Sequence, residues 1–164
     1  MRRRLHPPPQ PPAIRCIAMD GANVIASGSS RALERLSLAL DWLAAWQPKL
    51  PVRIFVDSTT FARCRPDARN WLCAAQATAA RTPTVELCPE GTEADIPLLQ
   101  FAQREQALVL SNDRFFDHAS LRAGVLTLQF ALERSSFLPA AEATWFRLVG
   151  QAIRVPIDQI AFSV

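Results

Sequence analysis

Apolar positions along this chain form short strand-like runs separated by stretches of helical period, and that rhythm predicts alternating strands and helices. Ile14 to Met19 is a continuous apolar run apart from Arg15 and ends at Asp20-Gly21, as expected of a strand buried on both faces. Leu33, Leu36, Leu40 and Leu43 then recur at helical spacing, predicting a helix capped by Ser29 or Ser30 and running to Trp46. Val52–Val56 is a second strand, followed by Asp57-Ser58. A helix over Ala68–Ala80 places Trp71, Leu72 and Ala75 on one side, and Val85–Cys88 is a third strand. A helix from Thr92 carries Leu98, Leu99 and Phe101, and Ala107–Leu110 is a fourth strand ending at Ser111-Asn112-Asp113. Val125–Phe130 alternates apolar with polar residues and reads as a final strand that Phe137-Leu138-Pro139 can join. Glu142–Ala152 is expected as a closing helix.

Strand and helix alternating at this rhythm predict an α/β fold of three layers, a central and mostly parallel sheet with helices on both faces. The length of 164 residues suits one domain. Residues 1–12 form a basic, proline-rich tail expected to be disordered, 13–140 the domain proper, and 141–164 a C-terminal helix and tail packing on it.

Composition narrows the function classes. The apolar runs are too short and too often broken by charge for a transmembrane helix, and the basic N-terminus leads into prolines where a signal peptide needs an apolar core. A cytoplasmic location with no membrane partner is therefore the expectation. Cys16, Cys64, Cys73 and Cys88 lie at irregular spacings without a zinc-finger pattern and read as reduced thiols. The net charge is +3, and Lys49 is the only lysine; the arginine-rich balance permits nucleic-acid binding without requiring it.

The acids at strand ends carry the candidate chemistry. Asp20 ends the first strand, Asp57 the second and Asp113 the fourth, while Asp95 opens the helix after the third. In an open parallel sheet these positions share the carboxyl edge, where ligands bind. Like charges about 4 Å apart repel by roughly 4 kcal/mol at an effective dielectric near 20, so converging carboxylates call for a proton or a cation. An oxygen-only donor set favours Mg²⁺ or Mn²⁺ over zinc. Each acid also has a structural role open to it. Asp20-Gly21 can be a simple turn, Thr92-Glu93-Ala94-Asp95 a capping box, and Ser111-Asn112-Asp113 a cap for the next segment. Asp113 and Asp117 are four residues apart and share a side if that segment is helical.

Taken together, the motifs Asp20-Gly21-Ala22-Asn23 and Ser111-Asn112-Asp113, with Ile54-Phe55-Val56, Arg65-Pro66-Asp67, Asp95 and Asp117, resemble the NYN/PIN-like ribonucleases. The likeness is to the Regnase-type nuclease domain of CCCH-finger proteins, across about residues 14–139 and without the finger. The resemblance implies a PIN-like fold in which Asp20, Asp95, Asp113 and Asp117 are the catalytic, metal-binding acids. It implies further that Asn23 holds Asp20 or a substrate phosphate and that Ser111 and Asn112 orient the Asp113 loop. Regnase-type domains often carry two adjacent acids where this chain has Ala94-Asp95.

The activity so implied is metal-dependent endonucleolytic hydrolysis of single-stranded RNA, leaving a 5′-phosphate and a 3′-hydroxyl. Arg31, Arg63, Arg65 and Arg114 are candidates for gripping the substrate, Arg65 and Arg114 foremost. Phe115 and Phe116 either stack a base or pack beneath the loop, and His118 is a lesser acid–base candidate. Trp42 and Trp46 read as helix-packing residues. Two other classes compete. One is a PIN-like module that binds RNA or protein without cutting. The other is a Mg²⁺-dependent phosphotransferase, which needs an Asp-x-Asp pair that Ala22 denies. The sequence leaves a homodimer or a protein partner open.

Overall fold

A computed structural model describes residues 10–26, 28–77, 83–148 and 150–163, so most of the proline-rich tail, residues 1–9, lies outside the described residues. Five parallel strands form the centre: β1 (Cys16–Asp20), β2 (Val52–Val56), β3 (Thr84–Leu87), β4 (Ala107–Leu110) and β5 (Leu126–Leu128). A separate ribbon pairs β6 (Phe130–Leu132) with β7 (Phe137–Pro139). Antiparallel β8 (Glu142–Phe146) and β9 (Ala152–Pro156) extend the main sheet, whose order is β3-β2-β1-β4-β5-β8-β9. The helices are α1 (Gly21–Ile25), α2 (Ala32–Trp46), α3 (Ser58–Arg63), α4 (Pro66–Ala77) and α5 (Asp95–Glu105).

Side chains alternate between the two faces along each strand, and each face has its own core. Ile17, Met19, Ile54, Val56, Leu108 and Leu110 meet Val24 of α1, Leu36 and Leu43 of α2 and Leu72 of α4. Cys16, Ala18, Phe55, Ala107 and Val109 face Leu98, Leu99, Phe101 and Ala102 of α5. The expected mostly parallel, helix-flanked α/β sheet is thus what the chain forms. Met19 pairs with Leu110, so Asp20 and Ser111, the next residues along, end neighbouring strands at the carboxyl edge.

The C-terminal segment departs from expectation. Glu142–Ala152 is not a closing helix; it supplies β8, the turn and the start of β9. Its alanines and glutamate suit a helix, yet buried Ala143 and Trp145 alternate with the more exposed Thr144 and Phe146, a period of two. Gly150 turns the hairpin at φ +74°, a conformation glycine adopts without strain. The chain's end is also structured: Phe162 bridges to Ile14, and Trp46 packs edge-on against Phe162. Other departures are smaller. The run 125–130 divides between two sheets, Phe130 pairing with Pro139 in the ribbon. The N-cap of α2 is Arg31, not Ser29 or Ser30, and it makes no side-chain cap bond. The helix expected over Ala68–Ala80 begins at Pro66 and is described to Ala77, residues 78–80 lying outside the described residues. All four cysteines are unpaired, and burial pushes the Cys16 and Cys88 thiols up to about 11, so both stay neutral at ordinary pH.

Gly21 shows how tightly the first helix is set down. A Cβ there would lie 2.6 Å from the Phe55 carbonyl oxygen and 2.6 Å from Val56 Cγ2. Asp20-Gly21 is therefore more than a turn, because the glycine lets α1 start directly against β2. Replacing glycine by alanine in an exposed helix normally stabilises by about 1 kcal/mol. Gly21→Ala is expected to reverse that sign and to lower the unfolding free energy by about 1–3 kcal/mol in urea titration. An unchanged or raised urea midpoint would refute the close-approach account.

Candidate active site

Asp20 is buried, 2% exposed, and caps α1 from the end of β1. A carboxylate in that position has lost its water and needs donors. Three are supplied. Ser111 gives its hydroxyl to Asp20 Oδ2 at 2.6 Å, the Asn23 side-chain amide gives Nδ2–H to the same oxygen at 2.6 Å, and the Asn23 backbone N–H reaches Oδ1 at 3.1 Å. Burial still pushes the Asp20 carboxyl above its ordinary value. Donation from Ser111 and Asn23 opposes that rise, and the nearby charge of Asp113 adds to it.

The same donors shape the loop after β4. The backbone N–H of Asp113 donates to Ser111 Oγ at 3.0 Å, and that of Asn112 to Asn23 Oδ1 at 3.2 Å. Asn112 Oδ1 in turn accepts the Phe130 N–H at 2.8 Å, fastening the loop to β6. Asp113 Oδ1 accepts the Phe115 N–H at 2.7 Å, closing a short turn in which Phe115 takes φ +50° and is buried. Asp113 itself stays exposed.

Above this frame lies an open cleft of about 500 Å³. Asp57, Glu93, Asp95, Asp113 and Asp117 line it together with His118. Asp95 stands apart from the capping expectation: the N-cap of α5 is Ala94, without a side-chain cap bond, and Asp95 accepts no hydrogen bond from the described residues. Burial, then the charges of Asp20 and Asp113, push its carboxyl up to about 6. His118 Nε2 lies 3.5 Å from Glu93 Oε2 and 3.9 Å from Asp95 Oδ2, close enough to pair when protonated. Asp57, by contrast, is committed to structure, since it accepts both the N–H and the hydroxyl of Thr60 at 2.7 Å as the cap of α3.

Not every expected residue reaches this cleft. Asp95, Asp113 and Asp117 line it, with Asp20 beneath. Arg65 is exposed beside Asp67 at 3.9 Å, and Arg31 is held by Glu34 and the Arg134 carbonyl. Arg63 closes α3, and Arg114 lines a neighbouring groove. Phe115 packs beneath the loop, whereas Phe116 is 65% exposed. Glu93 was not among the expected site residues. Its place beside Asp95 was the available signal, but the facing of a loop residue depends on a turn that periodicity does not describe.

Among the described residues no three His, Cys, Asp or Glu side chains are grouped closely enough to hold a metal ion between them. The donor set nevertheless fits a hard, water-rich cation, because Mg²⁺ is commonly held by one or two carboxylates and keeps several waters. An unbonded Asp95 facing a cleft, made costly to ionise by Asp20 and Asp113, is the group such a cation would relieve.

No family model matches this chain, and no curated protein matches it. Among solved structures it is similar to Arabidopsis thaliana nuclear protein-only RNase P 2, at TM-score 0.57 and 13% identity, over 86% of this chain and 35% of that one. A structure of nuclear proteinaceous RNase P 2 from the same plant matches at TM-score 0.57 and 15% identity, over 76% of this chain and 29% of that one. The chain thus spans about a third of the length of the structures it matches. At such identity the likeness is one of fold, a mostly parallel α/β sheet flanked by helices.

The perturbed carboxyl makes a stability prediction. The folded-state value of Asp95, about 6, lies above the ordinary 3.8, so between those values the folded protein holds the proton more tightly than the unfolded chain. Stability is therefore lost as pH rises through that window, and the loss is complete above it. Asp95→Asn is expected to melt higher than wild type near pH 7.5, by on the order of 1–2 kcal/mol after allowing for partial exposure. That gain should shrink to nothing by about pH 4. Thermal melts at both pH values check this, and a pH-independent difference would show that charge is not the cause.

Proposed function

We propose that this chain is a PIN-like ribonuclease of the Regnase type, cutting single-stranded RNA endonucleolytically with Mg²⁺ or Mn²⁺. The observation that carries the proposal is Asp95: a half-buried carboxyl with no hydrogen bond, raised by Asp20 and Asp113, at the mouth of an acidic cleft. Its one nearby cationic partner is His118, 3.9 Å away, and no arginine neutralises it among the described residues. Asp95 and Asp113 would hold the cation as one or two direct carboxylate ligands, with Asp117 and Asp20 reaching it through its waters. When bound, such an ion supplies an activated water and a counter-charge for the leaving oxygen.

The chain's own residues do the remaining work. Asn23 and Ser111 keep Asp20 ionisable in a buried place and fix its direction. Ser111 and Asn112 hold the Asp113 backbone so that its side chain meets the cleft. Arg114, exposed beside Asp113, would take a phosphate next to the scissile one, while Arg65 lies outside the cleft lining and would meet only a longer substrate. RNA is the partner this reading requires.

The wide spacing of the carboxylates favours a second reading, in which the domain grips RNA but does not cut it. Incubation of the purified protein with single-stranded RNA and Mn²⁺ separates the two. Cleavage should be lost in Asp20→Asn and Asp113→Asn and should fall about 10- to 100-fold in Ser111→Ala. RNA retention by wild type without scission in Mg²⁺ or Mn²⁺ would establish the non-cutting reading instead.

A further inference from the structure

Beside the acidic cleft, and on the α5 side of the sheet, lies a second groove of which the ribonuclease reading uses only Arg114. Helix α5 packs on β1 and β4, while the same face of β5, β8 and β9 is left open as a groove of about 200 Å³. Its floor is a row of facing residues on three adjacent strands: Thr127 pairs with Thr144, and Thr144 with Arg154. Arg154 donates to Thr144 Oγ1 at 2.8 Å. Arg114 and Arg122 stand along one wall, tied by a hydrogen bond from Arg122 to the Arg114 carbonyl at 2.8 Å. The Arg122 guanidinium lies between two rings, 5.0 Å from Phe116 and 4.6 Å from Phe146.

Three features of this groove call for an anionic, aromatic occupant. Among the described residues none of Arg114, Arg122 and Arg154 makes an ion pair, so three arginines line the groove against the single carboxylate of Asp113. The Thr127 hydroxyl is buried in the floor without a hydrogen-bond partner among the described residues, a costly state for a polar group. The groove also shares Asp113 and Phe116 with the acidic cleft, so a chain leaving one enters the other. Arginines would match an acidic peptide equally well. Arginine interleaved with the exposed ring of Phe116 and the half-buried ring of Phe146, at the rim of the proposed cutting site, suits a nucleic-acid strand better, because planar forks take phosphate and rings take bases.

We infer that the groove over β5, β8 and β9 is a track for single-stranded RNA, in which Arg114, Arg122 and Arg154 grip successive phosphates and Phe116 stacks a base. The track rests on the ribonuclease reading for its occupant. The nucleotides it holds are those flanking the cut, so it sets the affinity and the reach of the substrate and takes no part in the chemistry.

The test is fluorescence anisotropy with a labelled oligouridylate in EDTA, across a potassium chloride series, beside cleavage in Mn²⁺. Arg122→Ala/Arg154→Ala is expected to bind about tenfold more weakly, with a salt slope lower by about 1.4, or 0.7 for each lost phosphate contact. Arg154→Gln removes one exposed charge with little burden on folding and should lower the slope by about 0.7. Wild-type affinity and slope in Arg154→Gln would overturn the track, as would binding of polyglutamate in place of RNA. Cleavage by wild type with an unchanged KM in the double variant would remove the track and leave the nuclease standing. Arginine-dependent RNA binding without any cleavage would do the reverse.

Discussion

The whole site depends on one buried charge being made tolerable. Asp20 sits at the end of the central strand with almost no access to water, and an ionised carboxylate there is sustainable only with its donors in place. Those donors come from α1 and from the end of β4, so the solvation of a single group requires the two segments to meet. Once Ser111 and Asn23 are committed to Asp20, their remaining polar atoms determine where the Asp113 loop goes. Strand order, helix start and loop path follow from the same need.

This hierarchy explains which features could be read from the sequence. The strands β1, β2 and β4 are almost wholly apolar, Arg53 of β2 apart, and end in polar turns, so run length and composition suffice to locate them. The residues placed by a strand end, Asp20, Ser111 and Asp113, were equally legible in position, and their site roles remain a proposal. Helix α1 was not, because five residues beginning at a glycine carry no periodic signal, and its presence follows from the clearance beneath Gly21. The hairpin β8–β9 was misread as a helix because its propensities and its burial period disagree. Tertiary pairing with β5 overrides propensity there.

The pairing of His118 with Glu93 and Asp95 could not be read either. It joins two loops that approach only when the sheet has formed, and neither loop has a period. Of the arginines of the open groove only Arg114 was legible, and the other two were hidden for a related reason. Arg122 and Arg154 lie far apart in sequence, and Arg154 reaches the groove only through the strand that the helix expectation had removed.

The strip from Asp113 to Phe116 is a partition with an occupied hollow possible on each side. Its shape is set by one left-handed residue, Phe115, whose buried ring anchors the strip and leaves its two ends to face different neighbours. An occupant of either hollow rests against residues that the other shares. Thermodynamic linkage then requires reciprocity: whatever factor a cation adds to the grip on an anion next door, the anion must return to the cation.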